Sequence, residues 1–144
     1  APIPPEMELT LGNLQTFTDE AIAGQLRGCD ALVFAAGVDE RVEFPAPVSE
    51  VYRRCNIEPV ERLLRIGRET GLRKAVILGS YFSYFAKCWP EMQLEDRHPY
   101  IRSRLLQEET ALSFNGEGLD VMVLELLCAE LNGTRNQIIQ KLMI

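Results

Sequence analysis

Tyr100 and Arg104 are four residues apart at the start of a segment with a helical pattern, and Ser80 ends an apolar run upstream of them. Residues at this spacing share one helical face, and a positive charge fixed beside a phenol stabilises the phenolate. At the carboxyl end of a strand, the Ser80 hydroxyl could hydrogen-bond the same substrate oxygen. The three residues predict an acid/base site for carbinol–carbonyl interconversion. From spacing alone, the alternative is a surface tyrosine and an unrelated arginine.

Three apolar runs predict the strands that would position these residues. They lie at residues 31–36, 74–79 and 121–126, with Glu125 as a polar exception in the third. Unbroken apolar runs are typical of parallel strands buried on both faces. A further strand is predicted at residues 7–11, either hanging at an unpaired edge or paired with residues 31–36 or with a second chain. Such an exposed sheet edge would allow a homo-oligomer.

Helical patterns separate the apolar runs. The longer ones cover residues 48–70 and 100–114, and a shorter one begins after the N-cap residue Thr18 and ends at Gly28. Pro59 predicts a kink in the first of these, because proline clashes with the carbonyl four residues earlier. The alternation of strands and helices predicts an α/β crossover fold in a single domain over residues 1–144.

Composition narrows the function classes. The chain has 144 residues, 47% of them apolar, and a net charge of −6, which argues against sequence-independent nucleic-acid binding. Neither an apolar run of membrane-spanning length nor a signal peptide is visible. The four cysteines are scattered and His98 is the single histidine, so no metal site is predicted. We expect a cytoplasmic protein with no membrane or nucleic-acid partner.

Five short motifs follow one another along the chain. They are residues 12–14 (Gly-Asn-Leu), residues 28–37 (Gly-Cys-Asp-Ala-Leu-Val-Phe-Ala-Ala-Gly), Asn56 with Leu63 and Leu64, Ser80 with Tyr100, and residues 118–126. In this order they resemble the extended branch of the short-chain dehydrogenase/reductase superfamily, the NAD-dependent epimerases and dehydratases. The resemblance covers about residues 7–126. Each motif is weak alone, but together they favour the catalytic interpretation of Tyr100.

The resemblance implies a partial Rossmann-like domain that takes NAD or NADP. Asn13 and Leu14 would border the adenine. Ala35, Ala36 and Gly37 would lie along the ribose and nicotinamide, where small residues let the cofactor approach the backbone.

The remaining implied roles concern the reaction. Ser80 would orient the substrate oxygen, and Tyr100 would transfer its proton. Arg104 would replace the family lysine that binds the nicotinamide ribose, so Tyr100 and Arg104 would also contact the cofactor, as would Asn56.

Three departures from the family pattern limit these expectations. The glycine-rich turn that seats the pyrophosphate on a helix N-terminus is missing, and the chain lacks counterparts of the first two family strands. Arg104 keeps the charge of the family lysine but cannot readily give up a proton. Residues 127–144 form a divergent tail. The sequence therefore resembles a fragment, incomplete at both ends, that binds NAD(P) weakly and is inactive alone.

The predicted function is that of a fragment of an NAD(P)-dependent epimerase, dehydratase or reductase. It would act on a hydroxyl or ketone group of a small molecule or nucleotide sugar; the sequence does not identify the substrate, nor does it distinguish NAD from NADP. The alternative is a non-catalytic NAD(P)-sensing or interaction protein of the same fold, with Arg104 marking lost catalysis.

The segment between Ser80 and Tyr100 is rich in aromatic residues. Residues 81–85 and Trp89 predict a loop that forms one wall of a substrate pocket or a lid, or that simply packs over the end of the sheet. In the following helix, the leucines predict the buried side and Glu108 and Glu109 the exposed side. These leucines are Leu105, Leu106 and Leu112.

Overall fold

A three-stranded parallel sheet forms the centre of the fold. The computed structural model describes residue 6 and residues 8–126. Strands β1 (Ala31–Phe34), β2 (Lys74–Ser80) and β3 (Asp120–Leu126) lie in chain order, with β2 between the other two. All pairings are parallel. The three predicted strands and the α/β class are thus confirmed.

Helices connect the strands. In the described part of the chain these are α1 (Asp19–Leu26), α2 (Val48–Tyr52), α3 (Glu58–Thr70), α4 (Tyr81–Cys88), α5 (Leu94–Arg97) and α6 (Pro99–Ser113). Thr18 caps α1 as predicted, because its hydroxyl accepts a hydrogen bond from the Ala21 amide at 3.2 Å. Within residues 8–126, no helix combines the length and apolar character needed to cross a bilayer.

One face of the sheet carries the hydrophobic core. Its strand side chains pack with those of α1, α3 and α6, and Leu64 of α3 and Ile77 of β2 are fully buried. The opposite face is open, with Val33 64% and Met122 56% exposed. Successive strand residues point to opposite faces, so the unbroken apolar runs place apolar side chains on both faces of the sheet. They predicted that both faces are covered, but the described residues cover only one.

The helix predicted over residues 48–70 is interrupted. Between α2 and α3, Arg53–Ile57 form one π-helical turn, and Pro59 lies in the first turn of α3. A proline there removes a backbone donor and crowds the carbonyl four residues earlier, and a wider turn relieves both constraints. The kink predicted from Pro59 takes this form, and the turn contains the buried Asn56.

Two further sequence predictions are wrong. Residues 8–11 form no strand, because the backbone there has no ladder partner among the described residues. Leu9 and Leu11 are 59% and 84% exposed. Met7 lies outside the described residues. The aromatic loop predicted after Ser80 is helix α4 over Tyr81–Cys88. The Ser80 hydroxyl caps it by accepting from the Phe82 amide at 3.3 Å.

The buried side of α6 also differs from the prediction. Leu106 and Leu112 are 41% and 44% exposed. The buried positions are instead largely polar: Ser103, Arg104 and Gln107, together with Ile101 and Ala111.

Candidate functional site

A cavity of about 630 Å³ opens at the carboxyl ends of β1 and β2. Ligands of open α/β sheets bind at this edge. Among the residues that line it are six of the predicted site residues: Ala35, Ala36, Gly37, Ser80, Tyr100 and Arg104. The first three follow β1, Ser80 ends β2, and the last two come from the first turns of α6. The fold therefore brings together the predicted acid/base residues and the predicted nicotinamide-side residues.

Tyr100 is half-buried in an aromatic cluster. Its ring meets those of Tyr52 and Phe82 edge to face, with centroids 5.6 Å and 6.1 Å away. Edge-to-face packing is a favoured aromatic geometry, so two neighbours from different helices restrict the orientation of the phenol at the cavity wall.

The Arg104 guanidinium lies over the Tyr100 ring, with Cζ 5.9 Å from the ring centroid. Its Nη2 donates a hydrogen bond of 2.8 Å to the carbonyl oxygen of Leu78 in β2. The side chain is 8% exposed, and this burial lowers the pKa of the Arg104 guanidinium below its ordinary value, against the opposing effects of Tyr100 and Glu40. Arg104 thus supplies a largely desolvated positive charge directly behind the predicted acid/base.

Ser80 has two roles open to it. Its Oγ accepts from the Phe82 amide and so begins α4. A hydroxyl that accepts one hydrogen bond still carries its own proton to donate. Because Ser80 also lines the cavity, that proton can be directed at a substrate oxygen.

Asn56 is fully buried behind the loop that follows β1, rather than on the cavity surface. Its Oδ1 accepts from the Val38 amide at 2.8 Å and its Nδ2 donates to the Val38 carbonyl at 3.1 Å. A Cβ on Gly37 would lie 2.7 Å from the same Oδ1, and Gly37 has φ of +144°. The small residue predicted to admit the cofactor therefore also makes room for the Asn56 side chain.

Asn13 and Leu14 lie away from this cavity. Leu14 packs against the core next to α3, where its carbonyl accepts from Arg62 at 3.1 Å. The Asn13 carbonyl accepts from the amides of Thr16 and Phe17 in a local turn. Their contact with an adenine ring stays a prediction.

A charged loop on the cavity wall was not predicted from the sequence. Asp39, Glu40 and Arg41 follow Gly37 and line the cavity. The Arg41 guanidinium lies 2.5 Å from Asp39 and is the main cause that lowers the pKa of that carboxyl. The sequence contained a signal for this loop, because three consecutive charged residues begin two positions after Gly37.

Gln107 is another missed residue. It is buried, and its Nε2 donates to the Asn56 carbonyl at 2.7 Å, which ties α6 to the π-helical turn. The described residues contain no group of three His, Cys, Asp or Glu side chains placed to hold a metal ion.

Glu108 and Glu125 share one cation. The Lys87 ammonium lies 2.8 Å from Glu108 and 2.6 Å from Glu125, with the two carboxylate side chains 18% and 20% exposed. Glu108 is therefore more buried than predicted. A half-buried carboxylate needs such a partner, so this cluster joins α4, α6 and β3 as a structural contact.

Comparisons with solved structures identify the fold. A structure titled MoeE5 in complex with UDP-glucuronic acid and NAD superimposes with a TM-score of 0.64 at 20% identity, over 88% of this chain and 44% of that one. A short-chain dehydrogenase/reductase superfamily protein from Agrobacterium tumefaciens with bound NAD gives 0.60 at 19%, over 80% and 36%. The DesIV double mutant, a dTDP-glucose 4,6-dehydratase from Streptomyces venezuelae with NAD bound, gives 0.57 at 22%, over 78% and 35%.

The chain spans less than half the length of each of these proteins. No protein-family model matches the sequence, and the search of curated proteins found no significant match. The structural likeness nevertheless agrees with the resemblance drawn from the five motifs. The described chain has the α/β, Rossmann-like fold found in NAD-bound structures of the short-chain dehydrogenase/reductase type and corresponds to part of it.

Proposed function

We propose that this chain is part of an NAD(P)-dependent epimerase, dehydratase or reductase that acts on a hydroxyl or ketone group. One observation carries the proposal: Ser80, Tyr100 and Arg104, singled out from their types and spacing, line one cavity at the carboxyl edge of the sheet. The solved structures of the same fold hold NAD, and two of them are titled with a nucleotide sugar or as an enzyme acting on one.

The reaction at this cavity is a proton transfer coupled to oxidation or reduction of a carbon. Ser80 donates a hydrogen bond to the substrate oxygen, which fixes that oxygen beside Tyr100. Tyr100 takes the proton of a carbinol or gives a proton to a carbonyl. Arg104 places a desolvated positive charge over the ring of Tyr100, beside the site of this proton transfer.

The nicotinamide cofactor would supply hydride transfer when bound. Ala35, Ala36 and Gly37 fit its nicotinamide-ribose end, because their small side chains leave the backbone after β1 accessible from the cavity. This sequence contains no counterpart of the glycine-rich turn that would bind the pyrophosphate. The residues present thus fit one end of the cofactor.

Substitution of Tyr100 by phenylalanine tests the assignment in a form of the protein that turns over a substrate with NAD(P). Tyr100→Phe removes the proton-bearing oxygen and keeps the ring contacts, so we expect a rate loss of about 10²–10⁴-fold with an unchanged melting temperature. Tyr52→Phe is the matched control, because Tyr52 packs on the same ring without lining the cavity. Arg104→Lys should maintain or raise activity, since lysine keeps the charge.

An unchanged rate in Tyr100→Phe would refute the assignment of Tyr100 as the acid/base. The non-catalytic interpretation would then be the better one. The hydrogen bond of Arg104 to the Leu78 carbonyl favours it, since part of the donor capacity of Arg104 serves the fold.

A further inference from the structure

A second cleft, of about 440 Å³, adjoins the cavity and is lined mostly by apolar side chains. Phe85 and Trp89 form one wall, with ring centroids 5.0 Å apart. Met92, Leu94 and Ile101 line the rest. The polar side chains that reach it from the described residues are Glu40, His98 and Tyr100.

This apolar cleft is continuous with the proposed active site. Glu40, Phe82 and Tyr100 line both spaces. A substrate whose reacting oxygen lies at Tyr100 can therefore place a substituent in the apolar cleft.

Two large apolar residues that line this cleft are exposed at the surface. Trp89 is 45% and Met92 49% exposed. Large apolar side chains that adjoin one another at the surface of a soluble domain commonly mark a binding site. A volume of 440 Å³ is within the range of small-molecule pockets. Because the cleft shares walls with a reacting site, a substituent of the substrate accounts for its position better than a separate protein partner.

We infer that this cleft binds an apolar, ring-sized group of the substrate, so that the substrate class is an alcohol or ketone with an aromatic or alicyclic substituent. The inference rests on the proposed function for the position of the reacting oxygen. A sugar ring is disfavoured in this cleft because most of its hydroxyls would lose water without gaining a partner. The neighbouring cavity, with its charged loop, remains the polar half of the site.

Trp89 is the sole tryptophan of the chain and therefore reports on this cleft. We would titrate the 144-residue chain with 1-phenylethanol and, separately, with glucose, and follow Trp89 fluorescence. We expect a saturable change with 1-phenylethanol and a dissociation constant at least tenfold weaker, or no saturation, with glucose.

Variants link the signal to the cleft. Met92→Asp places a charge on the wall and should weaken 1-phenylethanol binding at least fivefold, whereas Met92→Leu should keep it within about twofold. Met122→Asp is the matched control, because Met122 is similarly exposed but lies on the open face of the sheet. Circular dichroism would confirm that each variant is folded.

A linear response to 1-phenylethanol, tighter binding of glucose, or equal effects of Met92→Asp and Met122→Asp would overturn the inference. The readout is binding without turnover, so it is independent of the Tyr100→Phe rate measurement. A saturable Met92-dependent signal together with an unchanged Tyr100→Phe rate would refute the proposed function and leave the apolar cleft standing.

Discussion

At the scale of single residues, the site depends on side chains that position backbone as much as on those that face the cavity. The Asn56 amide satisfies both backbone groups of Val38 and also donates to Ser103 Oγ at 3.4 Å. Gly37 leaves the space that the amide occupies. Asn56 thereby holds the start of the charged loop against α6, so it acts on the site through the backbone after β1.

We predict that Asn56→Ala destabilises the fold. The substitution leaves the Val38 amide and carbonyl without their partner, and each unsatisfied buried group costs about 1–3 kcal/mol. Urea unfolding measures the loss. Asn13→Ala is the control, because Asn13 is exposed and its side chain accepts one local hydrogen bond from Gln15, so we expect at most about 1 kcal/mol there. Equal losses in the two variants would contradict the role given to Asn56.

At the scale of elements, ion pairs fasten α1 to α3. Asp19, in the first turn of α1, accepts hydrogen bonds of 2.6 Å from Arg65 and from Arg62. These hydrogen bonds, that of Arg65 foremost, lower the pKa of the Asp19 carboxyl below 3.8. Arg62 also donates to the carbonyls of Leu14 and Phe17, so the segment before α1 is held by the same contact.

We predict a pH-dependent effect of Asp19→Asn. A carboxyl whose pKa is lowered by folding contributes stability above its unfolded value of 3.8, and that stability is lost as pH falls through the folded value. The wild-type protein should therefore unfold at higher urea than Asp19→Asn at neutral pH, and the gap should close below pH 3.8. Glu20→Gln, the adjacent exposed acid, should show no such gap. A gap that persisted in acid would refute the ion-pair explanation.

At the scale of the whole molecule, the described residues form a three-stranded sheet with helices on one face, while its other face and its edges are uncovered. β1 and β3 each have one strand neighbour in residues 8–126, and Val33 and Met122 expose apolar surface on the open face. Edges and faces of this kind promote association.

We predict that the isolated chain associates as its concentration rises. Size-exclusion chromatography with light scattering at several concentrations measures the mass, and a hydrophobic dye measures exposed apolar surface. Met122→Lys should reduce both signals, since a charge opposes stacking of the open faces. A concentration-independent monomer that binds no dye would count against this prediction.

We also predict that the chain binds NAD(H) and NADP(H) weakly or not at all. The residues after β1 can border a nicotinamide, but nothing in the sequence replaces the glycine-rich turn and helix N-terminus that hold the pyrophosphate. Calorimetric titration is the measurement. Micromolar or tighter affinity for either cofactor would show that this account of the binding energy is wrong.

Local pattern alone determined the framework of this protein. The apolar runs identified β1, β2 and β3, because such runs are typical of parallel strands, although one face of the sheet is open in the described residues. Helical periodicity put Tyr100 and Arg104 on one face of α6, and Ser80 followed from its place at the end of a strand. Pro59 indicated the interruption that contains Asn56. Each of these signals depends on neighbours close in sequence.

Only the tertiary structure decided which side of each helix is buried and which groups it contacts. Residues 81–88 form a helix whose Phe82 ring packs on Tyr100 of another helix, a contact between residues 18 positions apart that supplements the local cap by Ser80. The buried side of α6 carries Arg104 and Gln107 because their partners, the carbonyls of Leu78 and Asn56, are 26 and 51 residues away. Most buried polar side chains have a hydrogen-bond partner, and the periodicity of a helix does not show partners that are distant in sequence.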